Sequence, residues 1–162
     1  MSSTVRDELY DGPVKMFPRF EKLRADAVLP KRMTEHSAAF DLYAAEDAYI
    51  NSEYRSHMLV GTGVRVNLRP GETALVCSRS GLALKEGVFV LNAPGIIDPD
   101  YSGEIKVIMA TYRPNTMFNI KPGDRIAQLL IVRHCQADNF LAYENYADAY
   151  GRGANGFGSS GV

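Results

Sequence analysis

The chain has 162 residues, 18 basic and 19 acidic, a formal net charge of −1 and 46% apolar residues. That length suits one domain with a single core. The near-neutral balance argues against a nucleic-acid backbone as main partner, because such binding needs an excess of Lys and Arg. No apolar run approaches the roughly 20 residues that span a bilayer, so no membrane partner is expected either.

Residues 1–13 are polar and close on Asp11-Gly12-Pro13, a turn signal, so they read as a loose lead-in. They lack the apolar stretch of a secretory signal. Cys77 and Cys135 lie far apart and form no disulfide framework. The expected setting is intracellular and cytoplasmic (or within an infected host cell), with both thiols reduced and structural. The domain then runs over 14–150 as short apolar runs divided by turn residues. "HMLVGTGVRVNL" alternates and stops at Arg69-Pro70-Gly71. "TALVCS" follows. A short helix is expected around residues 80–85. "GVFVLN" runs to Ala93-Pro94-Gly95, "EIKVIMATY" ends at Arg113-Pro114-Asn115, and "RIAQLLIV" follows Lys121-Pro122-Gly123. Many short β-branched runs with Pro-Gly punctuation predict an all-β barrel or sandwich. "NFLAYENYADAY" fits a helical turn or an irregular connection. Residues 151–162, "GRGANGFGSSGV", offer almost nothing to bury. They are either a disordered end or an arm that orders around a ligand.

Four turn-rich segments before this tail carry possible chemistry. In "EHSAAFDLYAAEDA", Asp41 sits between Phe40 and Leu42. An acid in an apolar run is costly unless it is paired or serves an ion. In "CSRSGLALKEG", Arg79-Ser80-Gly81 stands where a strand gives way to a helical turn, a place that favours an anion. In "GVFVLNAPGIIDPDYSGEIKV", two apolar strands flank Asn92-Ala93-Pro94-Gly95 and read as a hairpin. Its second arm delivers Asp98, Asp100 and Tyr101. Partial desolvation of Asp98 beside Ile96-Ile97 would make it a candidate base; a solvated turn corner is the other reading. In "KPGDRIAQLLIV", the amide of Gln128 interrupts a strand and must satisfy a backbone group or a ligand. His36, His57 and His134 are scattered without zinc-ligand spacing.

The segments "AAFDL", "SRSGLA", "GIIDPDYSGE", "DRIAQLL" and "RGANGFGSSG" occur in this order, and with them the chain resembles the homotrimeric dUTPase family over 14–162. The resemblance implies a jelly-roll β-barrel with a flexible glycine-rich C-terminal lid. It implies hydrolysis of dUTP to dUMP and pyrophosphate, keeping uracil out of DNA and supplying dUMP for dTMP synthesis. Asp98 would activate the water that attacks the α-phosphorus. Tyr101 would pack under the deoxyribose. Asn92, Gly95, Ile96, Ile97 and Lys106 would line the uracil pocket. Arg79, Ser80, Gly81 and Gln128 would hold phosphates, and Asp41 would reach a triphosphate-bound Mg²⁺ through water. Arg152 would reach the terminal phosphate. Gly156, Phe157, Gly158, Ser159 and Ser160 would close over the substrate, with Phe157 on uracil. Three subunits would share each site.

The departures from the family pattern are small: Ala39 for a usual Gly, Ser78 for a usual Pro, and Asn155 for a usual Gly. A deaminase acting on dCTP shares the barrel and several motifs. It would need a carboxylate on the strand after the hairpin, where this chain has Ile108.

Overall fold

A computed structural model describes residues 19–134. Within them lie eleven strands and one helix. In chain order these are β1 (Phe20–Lys22), β2 (Phe40–Tyr43), β3 (Ala48–Asn51), β4 (His57–Gly61), β5 (Val64–Val66), β6 (Glu72–Cys77), α1 (Ser80–Glu86), β7 (Val88–Val90), β8 (Gly95–Ile97), β9 (Lys106–Thr111), β10 (Met117–Ile120) and β11 (Arg125–Arg133). The chain is mostly β, as its Pro-Gly punctuation predicts. The lead-in, the segment "NFLAYENYADAY", Cys135 and the whole tail with Arg152 and Phe157 lie outside the described residues.

β11 is the hub, pairing antiparallel with β2 on one side and β6 on the other. β8 continues that sheet beyond β6. β4, β9 and β7 form a second antiparallel sheet. Two smaller pairs, β1 with β5 and β3 with β10, complete the set. Side chains alternate across each strand, so one face of each fills the core. β6 turns Ala74 and Val76 inward; β4, β9 and β7 turn in Val60, Val107, Met109 and Val90. On β11 both Ile126 and Ala127 are buried. The alternation fails there because the register with β2 shifts between Arg125 and Ala127, a bulge that inserts a residue.

The structure corrects three expectations. "HMLVGTGVRVNL" is not one strand; it breaks at Thr62-Gly63 into β4 and β5. Asp41 stands on β2, a strand of the main sheet, and not in a turn-rich segment. The two strands around Asn92-Ala93-Pro94-Gly95 do not pair with each other. β7 pairs with β9 and β8 with β6, so the chain changes sheets at this corner.

The expected short helix is present as α1, and none of its residues is buried. Tethers therefore hold it more than packing does. Arg113 donates from Nη1 to the Lys85 carbonyl at 2.6 Å and from Nη2 to the Leu84 carbonyl at 3.0 Å. A guanidinium on the last carbonyls satisfies orphan acceptors and complements the helix dipole. The helix ends at Gly87 with φ 69°, a left-handed conformation. A Cβ there would lie 2.7 Å from the Arg113 side chain, so the position needs glycine on both counts.

Acid stability follows from paired carboxylates. Burial pushes the Glu72 carboxyl up, but the Arg19 fork and the Arg69 amide outweigh it and hold it below the usual range. The Asn67 amide, then Arg65, depress Glu21 as well. A carboxylate depressed in the folded state adds stability above its unfolded pKa and loses it as pH falls through the folded value. The melting temperature is expected to be flat above about pH 5 and to drop below about pH 4. Glu72→Gln should have a lower melting temperature at neutral pH and a shallower acid decline. An equally steep decline in that variant would remove Glu72 from the effect.

Candidate active site

A cavity of about 470 Å³ opens at the corner where the chain changes sheets. Asn92, Gly95, Ile96, Ile97, Asp98, Asp100, Tyr101 and Lys106 all line it, so eight of the residues singled out in the sequence converge. Its apolar back comes from Val76, Val90, Ile105 and Val107. β8 holds its place by pairing Gly95 with Val76 and Ile97 with Ala74, and the Thr73 hydroxyl donates to the Ile97 carbonyl at 2.8 Å. Asn92 lies close over Gly95: a Cβ on Gly95 would sit 3.1 Å from the Asn92 amide nitrogen. A backbone so bare at the floor can approach a flat ring closely. Tyr101 closes one side. Its amide donates to the Asp98 carbonyl at 3.1 Å and its hydroxyl to the Glu104 carbonyl at 2.8 Å. Of the two readings of Asp98, the solvated turn corner is the one observed: Asp98 is exposed, and Ile96 beside it is 68% exposed. Ile108 is not among the lining residues.

The second group of sequence candidates gathers elsewhere on the chain. Asp41 on β2 stands opposite Gln128 on β11, which stands opposite Cys77 on β6. Asp41 is buried and paired, which answers the cost of an acid in an apolar run. Arg125 Nη1 donates to its Oδ2 at 3.1 Å, and Arg79 Nε lies 3.7 Å from its Oδ1. Arg79 Nη1 also donates to the Arg125 carbonyl at 2.7 Å. Gln128 takes the backbone option: its Nε2 donates to the Ser78 carbonyl at 2.9 Å. Ser78 repays its departure from the family pattern. Its hydroxyl accepts the Val90 N–H at 2.9 Å, tying the Arg79-Ser80-Gly81 turn to β7. Sequence reasoning missed Arg125, Ser78 and Glu104. The only signal was their place inside the motif segments, Ser78 opening "SRSGLA", Arg125 within "DRIAQLL" and Glu104 closing "GIIDPDYSGE".

Charge separates the two groups. The cavity carries three carboxylates, Asp98, Asp100 and Glu104, against the one ammonium of Lys106. The second group carries two guanidiniums, Arg79 and Arg125, against Asp41. None of Asp41, Arg79, Ser80, Gly81 or Gln128 lines the cavity. A polyanion therefore suits the second group, and a neutral ring with its sugar suits the first. Among the described residues no three His, Cys, Asp or Glu side chains converge to hold a metal ion.

The geometry defines an acidic pocket with a separate cationic cradle, and comparison supplies the family. The dUTPase family model matches residues 25–161. A deoxyuridine 5'-triphosphate nucleotidohydrolase from Helicobacter hepaticus is 46% identical over 147 residues, covering 91% of this chain and 90% of its own. A dUTPase from Staphylococcus bacteriophage 80alpha, with dUPNHPP, superposes with TM-score 0.78 at 25% identity over 88% of this chain and 97% of its own. A dUTPase from Streptococcus mutans gives 0.68 at 30% identity over 75% and 100%. The chain belongs to the dUTPase family.

Proposed function

We propose that this chain is a dUTP diphosphatase that joins the cavity of one copy to the Arg79 cradle of another. Uracil enters the corner at Asn92 and Gly95, where backbone groups meet its edge and the tight floor rejects a 5-methyl group. Tyr101 lies against the deoxyribose. Asp98, at the mouth, takes a proton from a water. That oxygen bonds to the α-phosphorus in line as the bond from phosphorus to the bridging oxygen of the pyrophosphate breaks. dUMP and pyrophosphate leave, and the proton stays on the Asp98 carboxyl until solvent removes it. Transfer of this kind needs positioning and charge neutralisation more than covalent chemistry.

Arg79, Ser80, Gly81 and Gln128 hold the phosphates. Arg152 and the 151–162 arm, with Gly156, Phe157, Gly158, Ser159 and Ser160, close the site from a third copy of a homotrimer. The sheets form the wall of a jelly-roll barrel over 14–150. Asp41 is already held by two arginines, and among the described residues it belongs to no group of three metal-ligating side chains, which suits contact through water on a Mg²⁺ carried by the triphosphate. When bound, that ion neutralises charge on the phosphates.

The observation that supports this reading is the division between an acidic cavity able to take a nucleoside and a cationic cradle outside it. The test offers dUTP, dCTP, dTTP and UTP separately with Mg²⁺. Pyrophosphate release from dUTP far above the others is expected. Ammonia from dCTP would overturn the reading.

A further inference from the structure

Behind the cavity, the Gly61-Thr62-Gly63 turn between β4 and β5 is tied down by three groups. The Gly61 N–H donates to Glu46 Oε1 at 2.7 Å, and the Gly63 N–H to Glu104 Oε1 at 2.7 Å. The Thr62 hydroxyl donates to the Ile105 carbonyl at 2.6 Å. Glu104 belongs to the cavity as well. It lines the wall, its carbonyl accepts the Tyr101 hydroxyl at 2.8 Å, and its Oε2 lies 3.7 Å from Lys106 Nζ. One side chain thus joins a rigid turn to the ring and the cation of the pocket.

We infer that Glu104 is a positioning residue: by pinning the carbonyl that anchors Tyr101, it fixes the ring against the sugar and sets discrimination between deoxyribo- and ribonucleoside triphosphates. The inference rests on the reading of this cavity as the nucleoside site. Tyr101 is 48% exposed and rests on Gly103, where a Cβ would lie 2.7 Å from its ring, so packing holds one face of the ring only. Its hydroxyl bond restrains it only if the accepting carbonyl is itself fixed. The Ile105 N–H of the same peptide unit donates to the Val64 carbonyl at 2.9 Å, and the charge-assisted bond from the Gly63 N–H to the Glu104 carboxylate adds the restraint from the side chain. The pair with Lys106 is long, and Lys106 is 49% exposed, so it adds little. What matters is therefore the bond accepted at Oε1, not the pair with Lys106.

That asymmetry makes the inference testable. Glu104→Gln keeps an acceptor for Gly63; Glu104→Ala removes it. Gly61→Ala attacks the same bond without replacing a lining residue, since a Cβ there would lie 2.7 Å from Glu104 Oε1 and 3.0 Å from Glu46 Oε1. The measurement is kcat/KM for dUTP and for UTP with Mg²⁺, alongside melting temperature. Glu104→Ala and Gly61→Ala are each expected to narrow the dUTP-to-UTP ratio by about tenfold, the scale of one lost charge-assisted bond. Glu104→Gln should stay within about twofold of the parent, and the Gly61→Ala, Glu104→Ala double variant should be no worse than Glu104→Ala alone. Tyr101→Ala is the control. If it lowers the ratio while Glu104→Ala and Gly61→Ala leave it intact, Glu104 does not position the ring. If Tyr101→Ala leaves the ratio intact too, the nucleoside reading of the cavity fails, and the inference with it. Equal losses for both substrates, tracking melting temperature, would reduce Glu104 to scaffold and overturn the assignment.

Discussion

Asp98→Asn is expected to lower kcat for dUTP by about 10²- to 10⁴-fold, the range spanned by a lost general base. The amide matches the carboxylate in shape but takes no proton from water at neutral pH. Binding should be nearly untouched, because Asp98 is one group at the rim of a pocket whose floor and walls come from Gly95, Asn92, Tyr101 and the valines behind them. Stability should be untouched as well. Asp98 is exposed, and among the described residues its carboxylate has no hydrogen-bond or ion-pair partner to lose. Substitutions at such places stay within about 0.5 kcal/mol. A fall in kcat without a change in affinity for dUpNHpp or in melting temperature is thus the expected signature. Turnover near the parent value would remove Asp98 from the mechanism.

Asp41→Asn is expected to harm both stability and substrate binding. The carboxylate is buried and faces Arg125 at 3.1 Å and Arg79 at 3.7 Å. Its loss leaves two guanidiniums close together with no anion between them. Breaking a fully buried pair costs about 3–5 kcal/mol. An exposed pair is worth about 0–1 kcal/mol. The side chain of Asp41 is 12% exposed but that of Arg125 is 41% exposed, so the expected loss lies between, at about 1–3 kcal/mol. Arg79 then keeps only its bond to the Arg125 carbonyl and loses its orientation toward phosphate. KM for dUTP should rise at least roughly tenfold, more than kcat falls. Melting curves and steady-state kinetics check this together. Unchanged melting with unchanged KM would show that the pairing neither holds the cradle nor serves the substrate.

Much of the fold was legible because β-branched runs and Pro-Gly turns report strands directly. "TALVCS" and "RIAQLLIV" correspond to β6 and β11 with small shifts at the ends. The corner at Asn92-Ala93-Pro94-Gly95 was misread for a physical reason. Chain neighbours separated by a tight turn usually pair, yet here β8 finds a better partner in β6, where Gly95 meets Val76 and Ile97 meets Ala74. β2 was hidden because four residues containing an acid look like a loop until Arg125 is brought to the acid from 84 positions away. Proximity of that kind leaves no trace in local pattern.

The site was legible through the ordered motifs more than through any single residue. Eight of the residues singled out in the sequence line one cavity, while Asp41, Arg79 and Gln128 cluster around the main sheet. Burial misled where Asp98 was concerned. Two isoleucines in sequence do not enclose an acid when Ile96 points outward. Glu104 went unnoticed because a Glu in a turn-rich segment is ordinarily solvated. Its role shows only when the Gly63 amide and the Tyr101 hydroxyl are seen to meet on it.

The central claim is that a carboxylate in one copy's cavity drives water onto a phosphorus held by another copy's arginine. A crystal structure of the full chain with dUpNHpp and Mg²⁺ tests it most directly. The claim requires uracil at Asn92 and Gly95 of one copy, the phosphates on Arg79 and Ser80 of a second, and a water between Asp98 and the α-phosphorus in line with the bridging nitrogen. Phosphates bound wholly within the copy that holds the uracil, or Asp98 turned away with no water in that gap, would contradict it.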